Sequence, residues 1–204
     1  LVDIAGLVKG ASDGEGLGNA FLSNIREMTA LAHVVRCFED QNITHVDGSV
    51  NPKRDVEVIN LELILSDLET VTKRIAKCEK LIKTNDKNNK IQLEILLLIQ
   101  KDLENGQLIN LKNFTEDEQK IIKSFQLLSS KPMFFIGNIN DSEQSQKYIE
   151  QLNLVAKELN TFVIPVSIKI EHEISTLDEE EKKEYLEVMG LDAVSYTHLT
   201  LPTT

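Results

Sequence analysis

The sequence contains no hydrophobic run that could cross a membrane and no obvious export signal. A membrane-spanning helix needs about 20 consecutive apolar residues, and no stretch of the 204 residues comes near that length. The chain opens on an apolar stretch without a charged leader, so we expect no signal peptide. Its 41% hydrophobic and 27% charged residues are ordinary for a soluble globular protein. We therefore expect no membrane partner.

Cysteine is also scarce. The two cysteines, Cys37 and Cys78, fall in an apolar strand-like run and in a helical seam, and they lack the spacing of metal ligands. Stable disulfides belong mainly to oxidising compartments. We therefore expect two reduced thiols in a cytoplasmic protein.

Basic residues are outnumbered by acidic ones, 22 to 33, and the net charge is −11. This charge argues against a protein that coats nucleic acid with its whole surface, and we expect no DNA partner. Residues 73–90 depart from the balance, with seven bases and two acids. The bases are Lys73, Arg74, Lys77, Lys80, Lys83, Lys87 and Lys90. A solvated helix face is the commonest explanation of such a run, and a surface for RNA or another partner is the alternative.

The phosphate-binding motif Gly-x-x-x-x-Gly-Lys-Ser/Thr is absent from the 204 residues. A different phosphate-sensing pattern is present, because an apolar stretch ends in DIAG at residues 3–6 and continues into a glycine-rich run. In such a place an acid can hold a magnesium-bound water while a glycine amide approaches a terminal phosphate. The tetrapeptide alone is a weak signal, since Asp-x-x-Gly also occurs by chance in strand-to-loop turns.

Longer segments together resemble the YchF, or Obg-like ATPase, family of P-loop NTPases. They run from LVDIAGLVKGAS through GEGLGNAFLSNIRE, HVVRCFED and HVDGSVNPKRDVEVINLELILSDLE to KPMFFIGNIN and IPVSIKIEHEISTLDEEEKKEYLEVMGL. The resemblance covers the chain to about residue 191. It implies that the phosphate-binding loop and the first strands should precede this chain and that a small TGS domain should follow it. We therefore expect that these residues alone neither bind nucleotide tightly nor hydrolyse it.

The order of elements and the resemblance agree on the fold class. Strand-like runs at 31–38, 132–138 and 161–166 alternate with helical patterns, as in a doubly wound parallel sheet. The first of these runs has the continuous apolar character of a strand in the middle of a sheet, and His33 within it should be a satisfied core residue. We predict an α/β fold, a partial P-loop NTPase of the Ras-like G-domain type with an inserted antiparallel helical coiled-coil hairpin.

Four segments follow from this interpretation. Residues 1–54 and 130–191 would form parts of the G domain, the first with the Asp-x-x-Gly loop and the second with the base-recognition loops. Residues 55–129 would form the helical insertion. Residues 192–204 have neither a helical period nor the family resemblance, and they look like a cloning scar that should be disordered.

The insertion should begin with one long helix capped at Asn51 and Pro52 and ending near residue 83. Its apolar residues alternate in spacings of three and four, which is typical of a coiled-coil seam. They are Leu61, Ile64, Leu68, Val71, Ile75, Cys78 and Ile82. After a polar break, a returning helix would present Ile91, Ile95 and Leu98, so the basic run would lie at the tip of a projecting hairpin. A helical packing layer is the alternative.

Two capping boxes predict further helix starts, Thr115 with Glu118 and Thr176 with Glu179. Four adjacent acids, 178–181, suit the positive end of the second of these helices. The helix between the last two strands should bury Ile149, Leu152, Val155 and Leu159.

The resemblance assigns roles in the first loop, which corresponds to switch II. It places Asp3 in the outer shell of a magnesium ion and the amide of Gly6 at the terminal phosphate. Leu7 stands where many GTPases have a glutamine that orients the attacking water. Because an aliphatic side chain cannot polarise water, hydrolysis should be slow, and its catalytic group should come from another loop or from a partner.

The resemblance places base recognition at Asn138, Ile139 and Asp141. Guanine-specific sites have Asn-Lys-x-Asp, whereas the family has Asn-x-x-Glu and prefers ATP. Ile139 replaces the lysine, as in the family, but Asp141 is the shorter, guanine-type acid. We expect ATP to be preferred, because the lysine that packs in guanine pockets is lost and the Ile139 main chain can contact adenine. Ser167 and Lys169 match the Ser-Ala-Lys loop that closes over the base.

The predicted function is that of an ATP-preferring, Mg²⁺-dependent NTPase that can also bind GTP. Its switch II would report the nucleotide state to the hairpin, and the basic tip would contact the ribosome or RNA. The resemblance implies the ribosome, whereas the sequence shows only basic charge. The alternatives are an Obg-type GTPase with guanine preference and a non-enzymatic coiled-coil interaction protein with a vestigial site.

Overall fold

The computed structural model describes residues 2, 22, 24–43, 45, 48–82 and 87–188. Its three strands, β1 (Leu31–Arg36), β2 (Met133–Asn138) and β3 (Val163–Val166), form one parallel sheet in the order β1-β2-β3. This confirms the α/β class and the three predicted strands.

The sheet places β2 between its two neighbours. Leu31 pairs with Met133 and Arg36 with Asn138, and Phe135 pairs with Val163 on the other side. The run at 31–38 was expected in the middle, but among the described strands the middle position belongs to β2, and Val34 on β1 is 53% exposed.

Besides the helical residues 24–27, six helices surround or extend from this sheet in the described part of the chain. They are α1 (Pro52–Ile82), α2 (Lys87–Glu104), α3 (Glu116–Ser124), α4 (Glu143–Glu158), α5 (Ile168–Thr176) and α6 (Glu179–Val188). A short 3₁₀ helix, Leu111–Asn113, precedes α3. None of the described helices is both long enough and apolar enough to cross a membrane.

The first helix has the predicted start and length. Arg54 N donates to Asn51 Oδ1 at 3.1 Å, so Asn51 caps the helix, and Pro52 is its first residue. The helix spans 31 residues, and after Pro52 it contains neither glycine nor proline. This confirms the predicted cap and the predicted long helix.

The two ends of α1 pack against different parts of the molecule. Near its start, Val56 is buried with Val35, Phe135 and Leu152 in the core between the sheet and α4. The rest of the helix packs along α2, and the connection of four residues between them requires an antiparallel pair. The hairpin is therefore anchored on the sheet by the first turns of its own helix.

The predicted seam is partly correct. Ile64, Val71, Ile75 and Cys78 are buried against α2, but Leu61 is 50% exposed. Leu61 falls outside because α2 ends at Glu104, beside the middle of α1 and short of its first turns.

The predicted face of the returning helix is wrong at two of its three positions. Ile91 and Leu98 are 47% and 55% exposed. The buried face consists instead of Ile95, Leu96, Ile99 and Leu103. The physical reason is a second packing partner, because α2 also contacts the segment around Ile109, Phe114 and Ile122, which widens and rotates its apolar face beyond a narrow heptad seam.

One of the two predicted capping boxes is confirmed. Thr115 N donates to Glu118 Oε2 at 2.7 Å, and Glu118 N donates to Thr115 Oγ1 at 3.4 Å. The second prediction is wrong, because Thr176 is the last residue of α5, a helix that the sequence did not predict. Asp178 caps α6 instead, accepting from Glu180 N and Glu181 N at 2.9 Å each, and Glu179, Glu180 and Glu181 fill the first turn.

The face of α4 also differs from its prediction at one end. Leu152 and Val155 are buried, as predicted, and Ile149 is partly buried, but Leu159 is 36% exposed. The register of the helix buries Tyr148 and Ala156 instead.

Both cysteines are buried and neither forms a disulfide in the structure. Burial raises the pKa of the Cys37 thiol to about 12, and the negative charge of Asp55 acts in the same direction. A thiol that cannot ionise near neutral pH is a poor nucleophile, so Cys37 serves packing.

Candidate nucleotide-base site at the carboxyl edge of the sheet

Two loops that the sequence singled out meet at the carboxyl edge of the sheet. In a parallel sheet all strands end at the same edge, which is where open α/β folds bind ligands. Ile139 N donates to Val166 O at 3.0 Å, and Ile168 N donates to Asn138 Oδ1 at 3.2 Å. The Asn138 side chain is therefore fixed against the start of α5, beside the predicted Ser167 and Lys169.

The turn before α4 holds Asp141 at the same edge. Asn140 Oδ1 accepts hydrogen bonds from Ser142 N at 3.2 Å and from the hydroxyls of Ser142 and Ser145 at 2.6 Å each. Ser142 also caps α4 by accepting from Ser145 N. Asp141 itself is exposed, and its carboxylate makes no hydrogen bond or ion pair with any described residue. The carboxylate is thus available to a ligand.

This supporting turn was not predicted from the sequence. Asn140 followed by Ser142 is a pattern in which short polar side chains bond the backbone ahead of a helix. That pattern could have been read from the sequence, whereas the additional contact from Ser145 needs the helix to be in place.

The structure shows what surrounds Ile139 and Ser167, two of the predicted base-recognition residues. The Ile139 side chain packs at the edge of the core between the sheet and α4, and its N–H is already used by Val166 O. Ser167 is the cap residue of α5, although its hydroxyl makes no capping hydrogen bond. Lys169 is exposed in the first turn of that helix. The segment predicted as a loop over the base is thus a helix start.

The phosphate and metal predictions cannot be placed at this edge. Asp3, Gly6 and Leu7 lie outside the described residues. In the part of the chain that the structure describes, no group of three or more His, Cys, Asp or Glu side chains could hold a metal ion.

The basic run of the hairpin separates into paired and exposed members. Arg74 packs its guanidinium 5.0 Å from the centre of the Phe125 ring and is only partly exposed, and Lys73 pairs with Glu69. Lys77, Lys80 and Lys90 are exposed. Lys87 is the first residue of α2, and Lys83 lies outside the described residues.

A groove of about 1020 Å³ lies at the opposite, amino edge of the sheet. It is lined by α1, the segment 106–113 and the residues that precede β2 and β3. Of the predicted nucleotide-site residues that the structure describes, none lines this groove.

No protein-family model matches the chain. The chain is 47% identical over 193 residues to "Ribosome-binding ATPase YchF" of Bacillus subtilis (strain 168), which covers 93% of the chain and 53% of that protein. It is 44% identical over 192 residues to the protein of the same name from Escherichia coli O157:H7, covering 94% and 53%.

A solved structure, described as that of the Schizosaccharomyces pombe YchF GTPase, superposes with a TM-score of 0.70 at 32% identity. The superposition covers 92% of this chain and 53% of that one. The chain thus spans about half the length of the relatives it matches. Over the residues that it shares with them, the chain is similar in sequence and in fold to these YchF proteins.

Proposed function

We propose that the whole protein is a cytoplasmic, ribosome-associated NTPase that prefers ATP, and that this chain supplies its base-recognition loops and its helical hairpin. The observation that carries the proposal is the meeting of Asn138 with the start of α5, beside the free carboxylate of Asp141. The names of the relatives, ribosome-binding ATPase and GTPase, support the reaction class and the partner.

The preference for ATP rests on Ile139 and its surroundings. The Ile139 side chain lies against the core and its N–H is used, so a main-chain contact with adenine falls to its carbonyl oxygen, which can accept from the adenine amine. Asp141 can only accept hydrogen bonds, and guanine offers it a ring N–H and an amine together. GTP is therefore the alternative substrate.

Magnesium would neutralise charge on the transferred phosphate, with Asp3 holding one of its waters. Leu7 cannot orient the attacking water, so we expect slow hydrolysis until a partner or another loop supplies that group.

Replacing Asp141 with asparagine tests the base site. Asparagine keeps one acceptor oxygen but loses the charge and the paired acceptance, so GTP affinity should fall by about 10- to 100-fold while ATP affinity changes by about threefold or less. Calorimetric titration of Mg·ATP and Mg·GTP into the whole protein measures both values. Glu150→Gln, which removes an exposed carboxylate on α4, is the matched control and should change neither. If Asp141→Asn leaves both affinities unchanged, Asp141 does not contact the base and the proposed site is wrong.

The exposed lysines of the hairpin support a second activity, binding of RNA. Substituting Lys77, Lys80 and Lys90 with glutamate should weaken RNA binding and flatten its salt dependence by about two to three units of log–log slope, because fewer phosphates are neutralised. Filter binding at several salt concentrations measures the slope. The control reverses three other exposed lysines, Lys112, Lys120 and Lys123, near α3. Equal slopes for the wild type and the hairpin variant would contradict an RNA-binding tip.

A further inference from the structure

The segment that follows the glycine-rich run is packed directly on the hairpin. Residues 24–27 are helical, and Leu22 and Ile25 are buried in a cluster with Leu63 of α1 and Leu128. This apolar contact holds one side of the segment against the helix that leads to the hairpin tip.

A single arginine, Arg26, makes polar contacts between the same segment and α1. Arg26 Nη2 donates to Ser66 Oγ and to Thr70 Oγ1 at 3.1 Å each, and Nη1 donates to Gln126 O at 3.2 Å. Arg26 Nη1 also lies 3.7 Å from Asp67 Oδ1. One guanidinium therefore contacts two successive turns of α1 and the segment that follows α3.

Asp67 connects α1 to the segment that leads into the sheet. Its carboxylate is fully buried and accepts hydrogen bonds from Leu128 N at 2.9 Å and from Ser129 N and Ser129 Oγ at 2.7 Å each. The backbone continues from there into β2, which ends at Asn138. Lys131 returns to the first segment, since its Nζ donates to the carbonyl oxygens of Arg26 and Met28.

We infer that Arg26 is a positioning residue that couples the nucleotide state of switch II to the hairpin through Asp67, an inference that rests on the proposed function. A displacement of residues 24–27 that carries Arg26 away from α1 would separate the guanidinium from its acceptors there and from the buried Asp67. A nucleotide-dependent displacement of this segment would therefore act on the hairpin, which is what coupling between sites requires.

Hydrogen–deuterium exchange of the whole protein measures this coupling. Exchange is followed at residues 71–82 and 87–99, with and without Mg²⁺ and the non-hydrolysable analogue AMPPNP, in the wild type and in Arg26→Gln. We expect the analogue to change exchange in the wild-type hairpin by about fivefold or more, and Arg26→Gln to abolish that change while retaining AMPPNP binding. Arg26→Lys keeps the positive charge but lacks the planar guanidinium that donates to several acceptors at once, so it should restore part of the response.

Arg74→Gln is the matched control, because Arg74 also joins α1 to the segment after α3, by its contacts with the Phe125 ring and carbonyl oxygen. It makes no hydrogen bond or ring contact with residue 22 or residues 24–28, the described part of the first segment. The control variant should keep the response. If Arg26→Gln does not fold, the double variant Ser66→Ala with Thr70→Val removes two acceptors of the guanidinium and should reduce the response by at least half.

The outcomes separate this inference from the proposed function. Calorimetry that detects no nucleotide binding contradicts the proposed function. Binding without any change of exchange in the wild-type hairpin, or a full response in Arg26→Gln, overturns the coupling while the base site stands.

Discussion

Replacing Asp67 with alanine is expected to lower the free energy of unfolding by about 3–5 kcal/mol. The substitution removes the acceptor of two backbone N–H groups and one hydroxyl, and it leaves the Arg26 guanidinium without its anion. Burial raises the pKa of the Asp67 carboxyl, and the hydrogen bonds from Ser129 and Leu128 and the charge of Arg26 oppose that effect. Asp67 therefore stabilises the fold chiefly as a buried hydrogen-bond acceptor.

Urea unfolding followed by circular dichroism measures this loss. Asp67→Asn keeps an acceptor oxygen and should cost less than the alanine variant, about 1–2 kcal/mol. Glu69→Ala is the control, since Glu69 is exposed on the same helix and pairs with the exposed Lys73, and it should cost less than about 1 kcal/mol. A loss of unfolding free energy below about 1 kcal/mol in Asp67→Ala would show that the Asp67 carboxylate does not hold α1 to residues 128–129.

Acidification from pH 7 to pH 4.5 is expected to remove about 2–3 kcal/mol of stability through His33 alone. Burial lowers the pKa of His33 to about 4, although the negative charge of Asp55 acts in the opposite direction. The unfolded chain takes up the proton near pH 6.5 and the folded chain does not. This contribution is therefore fully present above about pH 6.5 and is lost as the pH falls toward 4.

The surroundings of His33 explain why its pKa is lowered. Its ring lies edge-on to Phe135 with the centroids 5.8 Å apart, and its Nδ1 is buried without a hydrogen-bond partner among the described residues. The expectation of a core histidine is therefore correct, but the expectation that it is satisfied is wrong.

Unfolding curves at several pH values test the prediction. His33→Leu should remove about 2–3 kcal/mol of the difference between pH 7 and pH 4.5, whereas His172→Gln, at an exposed position on α5, should leave the difference as in the wild type. Equal pH dependence in His33→Leu and the wild type would contradict a neutral buried imidazole.

The elements that the sequence predicted well are those with strong local signals. The long helix α1 follows from the Asn51 cap and the absence of glycine and proline, and the strands follow from continuous apolar runs between polar turns. The meeting of Asn138 with residues 167–169 could also be expected, because parallel strands end at one edge.

The misses have a common cause in contacts between distant parts of the chain. The face of α2 depends on Phe114 and Ile122, and the loop expected at 167–169 starts a helix that displaces the cap from Thr176 to Asp178. Arg26 and Asp67 are 41 positions apart, and nothing in the local pattern of either residue indicates the other. The contact of Arg74 with the Phe125 ring, 51 positions away, could not be predicted from the local sequence either.

The central claim, that the nucleotide base binds between the loops that follow β2 and β3, is tested most directly by photolabelling the whole protein with 8-azido-ATP. The reactive azide is on the base itself, so the labelled peptide reports the base site. We predict labelling within residues 138–145 or 166–171 that excess ATP prevents. ATP-sensitive labelling at residues 106–113, in the groove at the amino edge of the sheet, would contradict the account.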